Sequence, residues 1–119
     1  MITGQHLILD IKNCKKNILN DLEKCKTLFD EICQKYKLTV LNKSHQLFQP
    51  QGISILFLLS ESHISMHSWP EVNMVSIDCY TCSDNITYQI HESMCNYLLK
   101  AFDGEKHRFV IIDRGFEAS

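Results

Sequence analysis

The clearest regularity in the chain is an apolar stripe at helical spacing. Ile18, Leu22, Cys25, Phe29, Ile32 and Tyr36 follow one another in steps of four, three, four, three and four. Only a helix gathers residues so spaced onto one side, so the stripe predicts a helix over residues 14–36 lying on a sheet. Cys25 belongs to the stripe and reads as a core thiol. Ile90, Met94 and Leu98, with Tyr97 and Ala101 beside them, predict a second helix over 86–102. The other apolar stretches are strand-sized. Residues 5–11 form a first strand, with Leu7, Ile8 and Leu9 buried between layers; 38–48, 53–59, 74–81 and 108–113 form the rest. Gln49-Pro50-Gln51-Gly52 carries both common chain breakers and turns the second strand into the third. The nearly continuous apolar run 53–59 suits a central position. The order strand, helix, three strands, helix, strand describes an α+β fold: a two-layer sandwich with two helices on one face of a mostly antiparallel sheet. The other face is left for solvent, a partner or a ligand. No linker or repeat interrupts residues 1–119, which read as a single domain.

Charge and composition exclude several roles. A net charge of -2 provides no general attraction for nucleic acid or an anionic membrane. The lysines between Lys12 and Lys43 are interleaved with acidic residues from Asp10 to Glu31, as on a solvated helix face. The longest apolar segment, Ile53 to Leu59, is far too short to span a bilayer, and the first residues lack the features of a signal peptide. The six cysteines are scattered through helix-like and strand-like segments, which argues for free thiols in a reducing compartment. A cytoplasmic location is the expectation.

Reactive side chains concentrate in one run, Ser60-Glu61-Ser62-His63-Ile64-Ser65-Met66-His67-Ser68-Trp69-Pro70-Glu71. As a polar connection between two strands it would need no chemistry at all. A metal site could draw on His63 and His67, or on Cys79 and Cys82. The first pair lacks a helix to align it, and the second pair points to opposite faces of a regular strand. A thioredoxin-like pair would precede a helix, whereas Cys79-x-x-Cys82 ends a strand. Glu61-Ser62-His63 places a nucleophile beside a base but without the glycines of a nucleophile elbow. His6, His45, His91 and His107 stand apart from the run and receive no chemical role.

Taken together, the motifs resemble the short bacterial, archaeal and phage class of S-adenosylmethionine decarboxylase. The resemblance rests on Gly4-Gln5-His6-Leu7, Phe48-x-Pro50-x-Gly52-Ile53-Ser54, the run from Ser60 to Glu71, and Asp78-x-x-Thr81-Cys82. It implies a proenzyme that cuts itself between Glu61 and Ser62 into chains 1–61 and 62–119. The Ser62 hydroxyl would attack the Glu61 carbonyl to form an ester, with Ser54 supporting the step. His67 would then remove the Ser62 α-proton so that the ester is eliminated. Loss of ammonia would leave a covalent pyruvoyl group derived from Ser62, which takes the place of pyridoxal phosphate; no metal is implied. The substrate amine would condense with that group, carbon dioxide would leave, and Cys82 would return a proton. Glu71 would grip the ribose hydroxyls and Phe48 would stack on adenine. The implied assembly is a dimer of cleaved protomers with active sites near the interface.

Several positions depart from the family pattern. Gln46-Leu47-Phe48 replaces His-x-Phe, Ile55 stands where glycine is common, Val72-Asn73-Met74 replaces an aromatic-glycine-aromatic run, and Ser83 follows Cys82. All of them spare Ser62, His67 and Cys82. They leave open a pyruvoyl-dependent ornithine or arginine decarboxylase, and a non-catalytic partner that regulates another decarboxylase. Phe48 and Glu71 favour the nucleoside substrate.

Overall fold

The computed structural model describes residues 2–14, 16–82 and 85–116, without the side chains of residues 2, 3 and 16. Six strands form one sheet: β1 (Ile2–Lys12), β2 (Val40–Leu47), β3 (Ile53–Leu59), β4 (Ser62–Trp69), β5 (Met74–Thr81) and β6 (Lys106–Gly115). Their spatial order is β2-β3-β4-β5-β1-β6, and every neighbouring pair is antiparallel. The helices are α1 (Lys16–Leu19), α2 (Leu22–Lys35) and α3 (Tyr88–Phe102), with a single 3-10 turn at Pro70–Val72 between β4 and β5. The core lies between the helices and one sheet face. Phe29 and Phe57 meet edge to face there at 5.4 Å, in a cluster with Leu7, Leu9, Ile64, Met66, Met94 and Phe102. Among the described residues no helix is long and apolar enough to cross a membrane.

This is the α+β sandwich expected, with three corrections. The helix predicted over 14–36 is broken after Leu19, because Asp21 caps a new start: its side chain accepts the Lys24 N–H at 3.0 Å. The stripe survives the break since both pieces rest on the same sheet face, with Cys25, Phe29 and Ile32 buried. The second correction concerns Ile8, which is 38% exposed while Leu7 and Leu9 are sealed. A sheet covered by helices on one side buries alternate residues only, whatever their hydrophobicity. β3 repeats the lesson: Ile53, Ile55, Phe57 and Leu59 are buried, but Leu56 and Leu58 remain 45% and 48% exposed.

The third correction bears on the site. Ser62–Trp69 is not a connection between strands but a strand itself, paired with β3 on one side and β5 on the other. Ile64, Met66 and Ser68 face the core, while His63, Ser65 and His67 alternate with them. Buried Ser68 donates to the Leu19 carbonyl at 2.6 Å and accepts the Ile53 N–H at 3.0 Å, so even this core-facing polar group is satisfied.

Candidate active site

The tight hairpin between β3 and β4 places Leu59 opposite Ser62, with Ser60 and Glu61 at its tip. Ser62 also pairs with Thr81, the last residue of β5. Cys82, just past the strand end, therefore arrives beside the hairpin. Its backbone N–H donates to the Glu61 carbonyl at 3.2 Å, and its Sγ lies 3.6 Å from Ser62 Oγ. The Ser62 hydroxyl donates to the same Glu61 carbonyl oxygen. The peptide joining Glu61 to Ser62 thus has a nucleophile against it and an N–H on its oxygen, where negative charge would develop in an addition to the carbonyl. Of the six cysteines Cys82 alone is exposed; Cys79 is sealed in the core, and burial raises its thiol far above the usual range.

A second group gathers at the opposite end of β4. Ser54 of β3 faces His67 of β4 across the ladder, and Ser54 Oγ lies 2.5 Å from His67 Nδ1. Phe48, Gly52, Ser54, His67, Trp69 and Glu71 line a small open cleft of about 280 Å³. Gly52 holds φ at +107°, a conformation favourable only to glycine, and its carbonyl accepts the Phe48 N–H at 2.8 Å. Asn20, in the break between α1 and α2, accepts the Gly52 N–H at 3.0 Å and fixes the turn from below. An adjoining cleft of about 820 Å³ shares only Trp69 with the smaller one and contains none of Ser54, His67 or Cys82.

The expected site residues consequently divide. Glu61, Ser62 and Cys82 meet at one end of the sheet; Phe48, Ser54, His67 and Glu71 meet at the other. Ser62 and His67 are five residues apart on one strand, or about 17 Å at roughly 3.4 Å per residue. No rotamer of His67 spans that distance within one chain.

Between the two groups, on the face without helices, lies a network to which the sequence assigned no role. Asp78 of β5 is 2.7 Å from His6 Nε2 and 3.2 Å from His63 Nε2, and its other oxygen accepts from Ser65. Burial pushes the Asp78 carboxyl up, but these hydrogen bonds together hold it below its ordinary range. Arg114 Nη1 donates to His6 Nδ1 at 2.9 Å. Because arginine only donates, Nε2 must carry the neutral ring's proton, which points at Asp78. His6, His63 and Asp78 are close enough together to be considered for a metal ion. In this tautomer His6 has no Nε2 lone pair to offer, so the arrangement satisfies itself as a hydrogen-bond network. His63 and His67 do share a face, as an even spacing on a strand requires, but they serve different partners, Asp78 and Ser54.

The S-adenosylmethionine decarboxylase family matches residues 5–115. An S-adenosylmethionine decarboxylase proenzyme of Thermodesulfovibrio yellowstonii is 33% identical over 112 residues, covering 94% of this chain and 81% of that protein. One from Archaeoglobus fulgidus is 32% identical over 115 residues, 97% of this chain and 100% of its own length. The crystal structure of the adenosylmethionine decarboxylase from Aquifex aeolicus superposes with a TM-score of 0.87 at 25% identity, covering 98% of this chain and 94% of that one. Sequence and fold agree along nearly the whole length, and the chain belongs to the S-adenosylmethionine decarboxylase family of lyases.

Proposed function

We propose that the chain is a proenzyme that cleaves itself between Glu61 and Ser62 and then decarboxylates S-adenosylmethionine. The observation carrying this reading is the Glu61 carbonyl, which accepts from both the Ser62 hydroxyl and the Cys82 N–H. Attack by Ser62 Oγ forms a C–O bond as the C–N bond to Ser62 breaks, giving an ester and a free amine. The Cys82 N–H supports the oxyanion. A base then takes the Ser62 α-proton, the Cβ–Oγ bond breaks, and Glu61 departs as a carboxylate. Water replaces the nitrogen, which leaves as ammonia, and residue 62 becomes a pyruvoyl group. When present, that group serves as the electron sink for decarboxylation. The Cys82 thiol is positioned to return a proton there.

His67 cannot be the base for its own Ser62, so each complete site draws on two copies. The Ser62–Cys82 end of one chain meets the Phe48, Ser54, His67 and Glu71 cleft of another. The exposed Leu56 and Leu58, with Ile8, Val110 and Ile112 on the same uncovered sheet face, supply apolar surface for such a pairing. In the cleft, Phe48 offers its ring to adenine and Glu71 its carboxylate to the ribose hydroxyls. Their shared cleft supports a nucleoside substrate over a simple amino acid.

Intact mass of freshly purified protein under denaturing conditions tests the reading. Chains 1–61 and 62–119 are expected, the second about 17 Da lighter than a serine-started peptide. A single uncleaved 119-residue chain from folded protein would refute self-cleavage. Cleaved protein that turns over ornithine or arginine but not S-adenosylmethionine would refute the substrate assignment alone.

A further inference from the structure

Beneath the Thr81–Cys82 peptide lies a histidine that the proposed reaction leaves unused. His91, near the start of α3, is completely buried. Its Nε2 lies 3.3 Å from Thr81 Oγ1, and its Nδ1 has no hydrogen-bond partner among the described residues. An apolar side chain would fill this part of the core without stripping water from an imidazole. Burial, with a smaller contribution from His6, holds the His91 pKa down to about 4. The ring is therefore neutral near pH 7. With Nδ1 unpaired among the described residues, the tautomer that carries its proton on Nε2 gives that proton an acceptor in the Thr81 hydroxyl, since a buried N–H without an acceptor is the costlier orphan.

Thr81 is where that contact matters. It is itself buried, pairs with Ser62 on one side and Gln5 on the other, and leads directly into Cys82. The Cys82 N–H reaches the Glu61 carbonyl, and its thiol stands beside Ser62 Oγ. β5 ends at Thr81, and the next peptide is tied to the β3–β4 hairpin by the bond from the Cys82 N–H to the Glu61 carbonyl. A tether on the Thr81 side chain restrains from the core side the peptide that carries the proposed oxyanion donor.

We propose that His91 is a positioning residue for self-cleavage, which fixes the Thr81–Cys82 peptide against the Glu61 carbonyl through the Thr81 hydroxyl. This rests on Glu61–Ser62 being the cleaved bond. The test follows cleavage of newly translated full-length chains over time by intact mass, for wild type, His91→Ala, His91→Gln, Thr81→Val and the His91→Ala/Thr81→Val double variant. Melting temperatures are measured on the same proteins. His91→Ala and Thr81→Val should each slow cleavage about tenfold, the scale of one well-placed hydrogen bond. The double variant should be no slower than either single one, because both remove the same tether. His91→Gln, which keeps an amide donor, should recover at least half of the logarithmic loss. A lowered melting temperature with wild-type cleavage rates would make His91 a core residue only and overturn the proposal. Fully multiplicative losses in the double variant, or no rescue by Gln, would overturn it too. If wild type itself never cleaves, the parent reading fails as well; wild-type cleavage matched by His91→Ala overturns this inference alone.

Discussion

Gly4 offers a sharp test of how closely the cleavage geometry is set. A Cβ built on Gly4 would come to 3.0 Å from the Thr81 carbonyl carbon and 3.1 Å from Cys82 Cα, and closer still to the Thr81 carbonyl oxygen. All three are backbone atoms, so no side chain can swing aside. Restoring ordinary contact needs β1 and the end of β5 to part by about 1 Å. Overpacking of this kind costs roughly 1–3 kcal/mol of stability. The larger effect falls on chemistry, because a displacement of about 1 Å in a reacting constellation can lower a rate about 100-fold. Gly4→Ala should thus fold with a reduced melting temperature and cleave about 100-fold more slowly, as followed by intact mass after translation. Gly104→Ala is the control. Its Cβ would crowd the Ile11 side chain and come within 3.1 Å of the Lys12 carbonyl oxygen, contacting neither Thr81 nor Cys82. It should lose stability while cleaving at the normal rate. Folded Gly4→Ala that cleaves like wild type, or equal slowing by Gly104→Ala, would refute the claim that the Thr81–Cys82 peptide sets the rate.

Co-expressed Ser62→Ala and His67→Ala chains should recover activity that neither has alone, up to about a quarter of wild type if half the dimers are mixed and each holds one intact site. No recovery in demonstrated mixed dimers would refute the shared site. Cys82→Ala should still yield both fragments, since its backbone N–H remains, but decarboxylation by the cleaved protein should fall about 10²–10⁴-fold; unchanged turnover would remove Cys82 as proton donor. Acid unfolding should show two windows. His91 has a folded pKa of about 4 against an ordinary 6.5, so the unfolded chain takes the proton first as pH falls. Stability present above pH 6.5 is then lost toward pH 4, by about 3 kcal/mol, and His91→Gln should flatten this part of the profile. The Asp78 carboxyl is held below its ordinary 3.8, so its contribution is present above that value and disappears only below it. Asp78→Asn should lower stability across the range above that value and flatten the fall below it in a denaturant–pH series.

The reach of sequence patterning differed from element to element. β3 was readable to the residue, since Ile53–Leu59 is apolar and sits between a Pro-Gly turn and a polar run. β4 was obscured by the very residues that matter. Its period of two rests on only Ile64 and Met66, with serines and histidines at the other positions up to the closing Trp69, so it resembles a loop in composition while pairing as an interior strand. The helix break at Asp21 was hidden for the opposite reason: the apolar stripe continues across it, and only the cap reveals the new start.

By itself, the sequence determined the sandwich architecture, the core stripes and the residue types of a self-cleaving decarboxylase. Periodicity and motif chemistry are local properties, and they are written in the chain. Tertiary structure alone decided which of those residues meet. Strand pairing brings Cys82, distant in sequence, onto the Glu61 carbonyl and joins His6 to Asp78 across 72 positions. The same extended strand separates Ser62 from His67, which lie only five positions apart. An extended backbone turns closeness in sequence into distance in space, while antiparallel register does the reverse.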